Sequence, residues 1–370
     1  MRRWILAALA AGVAGCSGGA GGGGSVIAPP SPTPTATPTP TATPTPAPAA
    51  FVPGPAARAM TGVALPLGKC VNMANHLEAP TEGEWGRAIV DADFAIIKAG
   101  GFDSIRLPVR WSAHAATTPP YAIDPAFLSR VEHLVETATD AGLNVMLNMH
   151  HYDELFADPP AHGERFAAMW RQIAATFADA PDSVWFELLN EPHDVLDDDN
   201  LLSVLTPALA QVRASNPTRP VVIGGENYSG IGSLASLPMP DDPYLVPTFH
   251  YYDPFAFTHQ GANWVSPAPA LGRSFGSDAD IAALRSDLDK VTAYIERTGR
   301  VPFVGEYGAI DHPQVPLAER VAYMNTVSAA FASVGVQSCA WGYTNSFRLR
   351  DGDAWLPGML DAIETTTTLE

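Results

Sequence analysis

The sequence predicts an α/β fold, a single (β/α)8 barrel of the TIM type, standing behind an N-terminal stretch that cannot build a core. Three observations predict it. From residue 58 onward, short apolar runs alternate with amphipathic ones, and eight such pairs fit in about 300 residues, the usual size of that barrel. Two of the apolar runs, 184–193 (VWFELLNEPH) and 301–308 (VPFVGEYG), carry a glutamate at or near their end. The longest connections, 111–123, 150–163 and 250–277, follow strands, on the side where such barrels place their chemistry.

Each element has a local reason. Residues 68–72 make a short first strand; 89–99 have helical period, and Gly100-Gly101 end the helix. Residues 104–108 (SIRLP) are the second strand. In 124–141, Phe127, Val131, Leu134, Val135 and Ala138 share one helical face, and Gly142 stops it. Residues 144–149 (NVMLNM) form the third strand and 164–177 the next helix. Strand 184–189 precedes helix 201–214. Strand 221–224 precedes a short helix at 231–237. Strand 245–249 precedes a long helix, 281–297. Strand 301–305 precedes helix 317–334, which Gly335 ends. Strand 338–341 and a last helix at 355–364 complete the set.

Three domains follow: a signal segment at 1–16, a linker at 17–57 and a catalytic barrel at 58–366. Arg2 and Arg3 precede an apolar run, 4–14, too short for a membrane span. The run ends in Val13-Ala14-Gly15-Cys16, which resembles the lipobox of bacterial lipoproteins. That resemblance implies cleavage before Cys16 and a lipid on its thiol. Ser17 in the next position goes with outer-membrane or cell-surface sorting. Residues 18–25 are glycine-rich, and 29–48 alternate Pro with Thr and Ala, a stiff polyproline spacer. An exported chain tethered to the envelope by lipid is expected, with release from it open.

Formal net charge is −18, and Arg2 and Arg3 are the only charges before Arg58. So acidic a domain excludes nucleic acid as partner and suits a neutral polymer such as a polysaccharide. Cys70 and Cys339 fall on the first and last strands, neighbours if the barrel closes. Two buried thiols are the default, because a bridge straight across adjacent strands is strained; a disulfide stays open.

Glu191 and Glu306, ending separate strands, suggest the paired carboxylates that cleave glycosidic bonds. Arg106 lies within an apolar strand, so its permanent charge needs an anion. Glu306 is the candidate, and Glu187, deeper in its own strand, is a structural alternative. Such a cation would keep Glu306 ionised. His150 and His151 are adjacent and point to opposite faces. They make a polar wall rather than a chelate, and neither metal nor cofactor is expected. His250 and Tyr252 share a face, and the phenol can donate to Glu306. Trp341 ends the last strand as a stacking platform for a sugar ring. Trp264, Trp111 and Trp85 lie in or near loops, as platform or as core.

Taken together, these residues are similar to those of glycoside hydrolase family 5, in particular its bacterial endo-β-1,4-glucanases, including the thermophilic type active on both glucan and mannan. The matching stretches run from about 67 to 363: GKCVNMANHLEAPTEGEWG, SIRLPVRWSAHA, NMHHYDEL, FELLNEPH, HYYDPFAFTHQGANWV and VGEYGA. The resemblance implies that Glu191 is the acid/base and Glu306 the nucleophile. It places Arg106, His150, Asn190, His250, Tyr252 and Trp341 around them, with Asn190 on the sugar 2-hydroxyl. It makes Asn75, Glu78, His151 and Trp264 substrate contacts. It further implies a cis peptide after Trp341. Gly342 stands where those enzymes carry glutamate, and Met73 and His76 where smaller residues are expected. The glucan-versus-mannan balance is thereby left open. The implied activity is retaining, endo-acting cleavage of β-1,4-glucan by a monomer, with the two carboxyls about 5–5.5 Å apart. A β-mannanase, a surface glycan-binding protein without catalysis and a metal-dependent barrel hydrolase are the alternatives.

Overall fold

Eight short parallel strands close on themselves in sequence order in the computed structural model, which describes residues 51–367. They are β1 (Cys70–Asn72), β2 (Ser104–Leu107), β3 (Asn144–Asn148), β4 (Val184–Glu187), β5 (Val221–Gly224), β6 (Leu245–Tyr251), β7 (Phe303–Tyr307) and β8 (Ser338–Ala340). The seam pairs β8 with β1. The expected signal segment, lipidated Cys16 and the Gly- and Pro-rich stretch to residue 50 lie outside the described residues. The expected linker boundary at residue 57 falls inside a strap. There Gly54 N–H donates to the Ala332 carbonyl, Ala57 N–H to the Gly335 carbonyl, and Pro55 pairs with Thr367.

The outer layer comprises α1 (Ala92–Ala99), α2 (Pro125–Asp140), α3 (Asp153–Ala157), α4 (Pro159–Thr176), α5 (Leu201–Ser215), α8 (Asp278–Thr298) and α9 (Leu317–Ser333). Two single turns, α6 (Glu226–Ser229) and α7 (Phe255–Thr258), sit over the strand ends. Local chemistry sets the boundaries. Asp124 caps α2 at the N–H groups of Ala126 and Phe127. Ser277 and Asp280 form a capping box on α8, and Gly299 ends it in the left-handed region.

Four expectations need correcting. The helix expected at 164–177 begins at Pro159, because Asp158 caps it and proline suits a first turn. The stretch 231–237 is a 3-10 turn, Ile231–Ala235. Residues 355–364 form no helix. Pro357-Gly358, with Gly358 at φ 81°, breaks the run, and Ala354–Trp355 (β10) instead pairs with Arg350–Asp351 (β9). The default of two thiols is also overturned: Cys70 and Cys339 are disulfide-bonded. They sit in register across the seam with Cα atoms 4.4 Å apart, within bridging reach.

The barrel interior changes character with height. Side chains two apart on a strand share a face. Cys70, Met146, Trp185, Val222, Val246, Phe303 and Cys339 therefore pack as a closed apolar floor, with Leu65 and Leu67 beneath. One pleat higher stand Asn72, Arg106, Asn148, Glu187 and Thr248, all buried. A polar layer thus sits on an apolar floor inside one cylinder, with the buried charges of Arg106 and Glu187 on the side of the C-terminal mouth.

One strand breaks the alternation. Phe249 pairs with Val304 but His250 pairs with Glu306, so Gly305 is an extra residue in β7. The bulge rotates the strand and turns Glu306 into the barrel, on the same side as Phe303.

Candidate active site

Arg106, fully buried on β2, organises the upper layer. Its Nε and Nη2 donate to Glu187 at 2.6 and 2.7 Å. Nη1 donates to Asn72 at 2.9 Å and to Glu306 at 2.6 Å, and Nη2 also donates to Asn190 at 2.6 Å. All five donors of the guanidinium are thereby used, the condition under which a buried cation is tolerated. Burial opposes its charge, but Glu187 and Glu306 outweigh it and raise its pKa. The expected pairing with Glu306 and the structural alternative with Glu187 both occur. Asn190 accepts through Oδ1, and its side chain also stabilises the charged form of Glu191.

Glu306 also accepts from the Tyr252 hydroxyl at 2.8 Å. Burial raises its carboxyl, while His250, Arg106 and Tyr252 stabilise the anion. The permanent charge among these is Arg106. Glu191 follows β4, at φ 46°. Its Oε1 lies 2.7 Å from His250 Nδ1, and its side chain is 24% exposed, so it faces the opening. Burial pushes its carboxyl up to about 7, against Arg106 and His193. Burial thus raises both carboxyls, Glu191 to about 7, but only Glu306 is bonded directly to the Arg106 guanidinium and the Tyr252 hydroxyl, while Glu191 faces the opening.

His250 stands between them, Nδ1 3.6 Å from Glu306 Oε2. Its Nε2 is buried without a partner, and burial brings the ring down to about 4. It is therefore a neutral imidazole near pH 7, with its proton on Nδ1 toward Glu191. Ligand-capable atoms of Glu191, His250 and Glu306 all lie within 4.8 Å of one another. Among the described residues this is the grouping that could hold a cation.

Aromatic rings line the walls. His150 is buried, accepts from Asn148 at Nδ1, and lies parallel to Trp341 at 5.6 Å. Burial holds His150 well below the usual histidine range and His151 at about 4. His151 meets Trp85 edge-on at 5.7 Å. Trp341 is half-buried, and its peptide to Gly342 is cis, as the resemblance implied. Trp264, 55% exposed, stands at the rim near Phe347 and His259. Trp111 is core: fully buried, its Nε1 donates to the Asn148 carbonyl. Asn75, left-handed at φ 64°, and His76 both donate backbone N–H groups to Glu78. Burial pushes Glu78 up to about 7, and the charge of Glu306 adds to that.

Residue reasoning missed Asn72, Asn148, His193 and Tyr228. Asn72 and Asn148 end short strands with the parity of Cys70 and Met146, a usable signal. His193 and Tyr228 belong to irregular turns and left none.

A family model described as cellulase (glycosyl hydrolase family 5) matches residues 68–346. Endoglucanase H of Acetivibrio thermocellus is 34% identical over 275 residues, 74% of this chain and 29% of its own length. Endoglucanase B of Clostridium cellulovorans is 31% identical, covering 65% of this chain and 58% of its own. The chain spans about a third of the length of the first curated relatives it matches. Among solved structures, endoglucanase Cel5A of Thermotoga maritima is 37% identical with a TM-score of 0.77, covering 80% of this chain and 97% of its own. That protein has been solved with cellobiose and with mannotriose.

Proposed function

The chain belongs to glycosyl hydrolase family 5, the cellulases, and on that premise we propose that it is a retaining, endo-acting hydrolase of β-1,4-glucosidic bonds in cellulose and related β-glucans. One observation carries the reading: carboxylate oxygens of Glu191 and Glu306 lie within 4.8 Å, Glu306 bonded to Arg106 and Tyr252 and Glu191 facing the opening. Inversion needs room for a water, with carboxyls about 6.5–9.5 Å apart; the shorter gap suits double displacement. Glu306 attacks the anomeric carbon while Glu191 gives its proton to the glycosidic oxygen, and the C–O bond breaks. Water then attacks the glycosyl-enzyme, Glu191 takes its proton, and Glu306 leaves. Arg106 and Tyr252 hold the Glu306 anion; His250 orients both groups.

Reducing-sugar release from carboxymethylcellulose, glucomannan and mannan tests the activity and its substrate. Release from the first two with retained anomeric configuration is expected; hydrolysis of mannan alone transfers the assignment to a mannanase. Glu306→Gln is expected to lower kcat by at least about 10⁴-fold with oligosaccharide binding intact, which excludes a binding role alone. Activity in the presence of a strong chelator excludes the metal-dependent alternative.

Export and lipid anchoring through Cys16 belong to the same proposal. The basic and apolar start of the chain supports them, and so does the disulfide, which persists in oxidising compartments. Labelled-lipid incorporation into the wild type and its loss in Cys16→Ala is the test. A monomer is expected, measured by light scattering.

A further inference from the structure

Glu191 occupies the left-handed region at φ 46°, and Asp194, three residues on, does so at φ 58°. Side chains with a Cβ rarely adopt that conformation unless something holds them there. The one side chain bonded to the Glu191 backbone carbonyl is that of His193, whose Nδ1 lies 2.6 Å from it. A carbonyl only accepts, so Nδ1 carries the proton. The imidazole is itself clamped. Phe156 lies against it at 4.1 Å, and the Tyr228 ring stacks on it at 4.4 Å with planes 14° apart. Tyr228 is brought there by a run of three left-handed residues, Asn227, Tyr228 and Ser229. Its backbone N–H donates to the Pro192 carbonyl at 3.1 Å. The loops after β3, β4 and β5 therefore converge on one ring, and that ring bonds to the backbone of the acid.

We propose that His193 is a positioning residue: its bond to the Glu191 carbonyl, fixed by the Phe156–Tyr228 clamp, holds Glu191 in the left-handed turn that aims its carboxyl at His250 and the cleft. The proposal rests on the reading of Glu191 as acid/base. Without the bond the turn relaxes, and the carboxyl leaves the place from which it protonates a leaving group. The groups that face Glu191 from the surrounding elements, Arg106, Glu187, Asn190, His250, Tyr252 and Glu306, stay where they are.

Two variants separate this from a bystander ring. His193→Phe keeps the stack and removes the donor. His193→Asn returns a donor, because the amide nitrogen of Asn takes the place of Nδ1. If acid positioning is the role, kcat/KM of His193→Phe on a cello-oligosaccharide falls by about 10–100-fold, the scale of a small misplacement of a catalytic group. KM stays within about twofold. On 2,4-dinitrophenyl β-cellobioside, whose leaving group departs without a proton, kcat/KM stays within about threefold. His193→Asn returns the first substrate to near the wild-type value. Equal losses on both substrates, a loss carried by KM, no loss, or no rescue by Asn overturns the proposal. Should the Phe variant not fold, His193→Leu serves as the donor-free form. Crystal structures of the variants decide the point without turnover. Glu191 is expected to leave the left-handed region in the donor-free form and to keep it with Asn. Wild type inactive on both substrates would instead sink the hydrolase reading and leave the structural arm to judge His193.

Discussion

At the scale of the residue, burial acts on several carboxyls and the neighbours decide what each becomes. Glu191, held near 7, is protonated below that pH and loses its proton above it. Activity that needs a neutral acid therefore falls as pH rises through about 7, by about tenfold in kcat/KM for each further unit. A kcat/KM profile flat from pH 6 to 9 would remove Glu191 from the acid role. Glu78 carries a second consequence. Its pKa rises from 4.5 to about 7 on folding, so between those values the folded chain binds the extra proton. Its share of stability is full below about 4.5 and is lost as pH rises to about 7. Melting temperatures of wild type and Glu78→Gln across that window are expected to converge as pH falls, apart from a constant offset, with the wild type carrying the steeper decline.

The element scale shows why the sequence revealed the strands so readily and one side chain's direction so poorly. Parallel strands buried on both faces are written as continuous apolar runs, so VWFE and VVIG could be read directly. The polar residues at their ends, Asn190 and Glu191 among them, stood out against that background. Glu306 was legible as a site residue, yet simple alternation cannot put it on the inward side with Phe303. The bulge at Gly305 does that, and a single glycine in an apolar run does not declare itself a bulge. The pairing of Cys70 with Cys339 depends on register at the seam, a property of two strands 269 residues apart. The misread helix at 355–364 shows helical period yielding to Pro357-Gly358. Gly305 also supplies a test. A Cβ there meets Thr248 Oγ1 at 2.8 Å and His250 Nε2 at 2.9 Å. Gly305→Ala is expected to displace His250 from Glu191 and cut kcat by about 10–100-fold, with the circular-dichroism spectrum unchanged. Full activity in that variant would mean the His250 position is slack.

For the molecule as a whole, the disulfide closes the cylinder covalently where β8 returns to β1, in the apolar floor below the polar layer. A bridge joining residues so distant in sequence restricts the unfolded chain strongly. Its removal typically costs about 2–5 kcal/mol. The double variant Cys70→Ala/Cys339→Ala is expected to unfold at lower denaturant concentration by that amount while keeping kcat at 25 °C. An unchanged midpoint would show that the seam is held by its backbone ladder alone.

Because the sulfurs lie beneath the chemistry, the nearest link being the Cys339 backbone carbonyl that accepts from Asn72, an assay of sugar release at room temperature is expected to be blind to whether they are joined. Two preparations of equal specific activity, one from an oxidising host and one from a reducing cytosol, can then differ widely in shelf life. Thiol titration, rather than turnover, is the quality control this protein calls for.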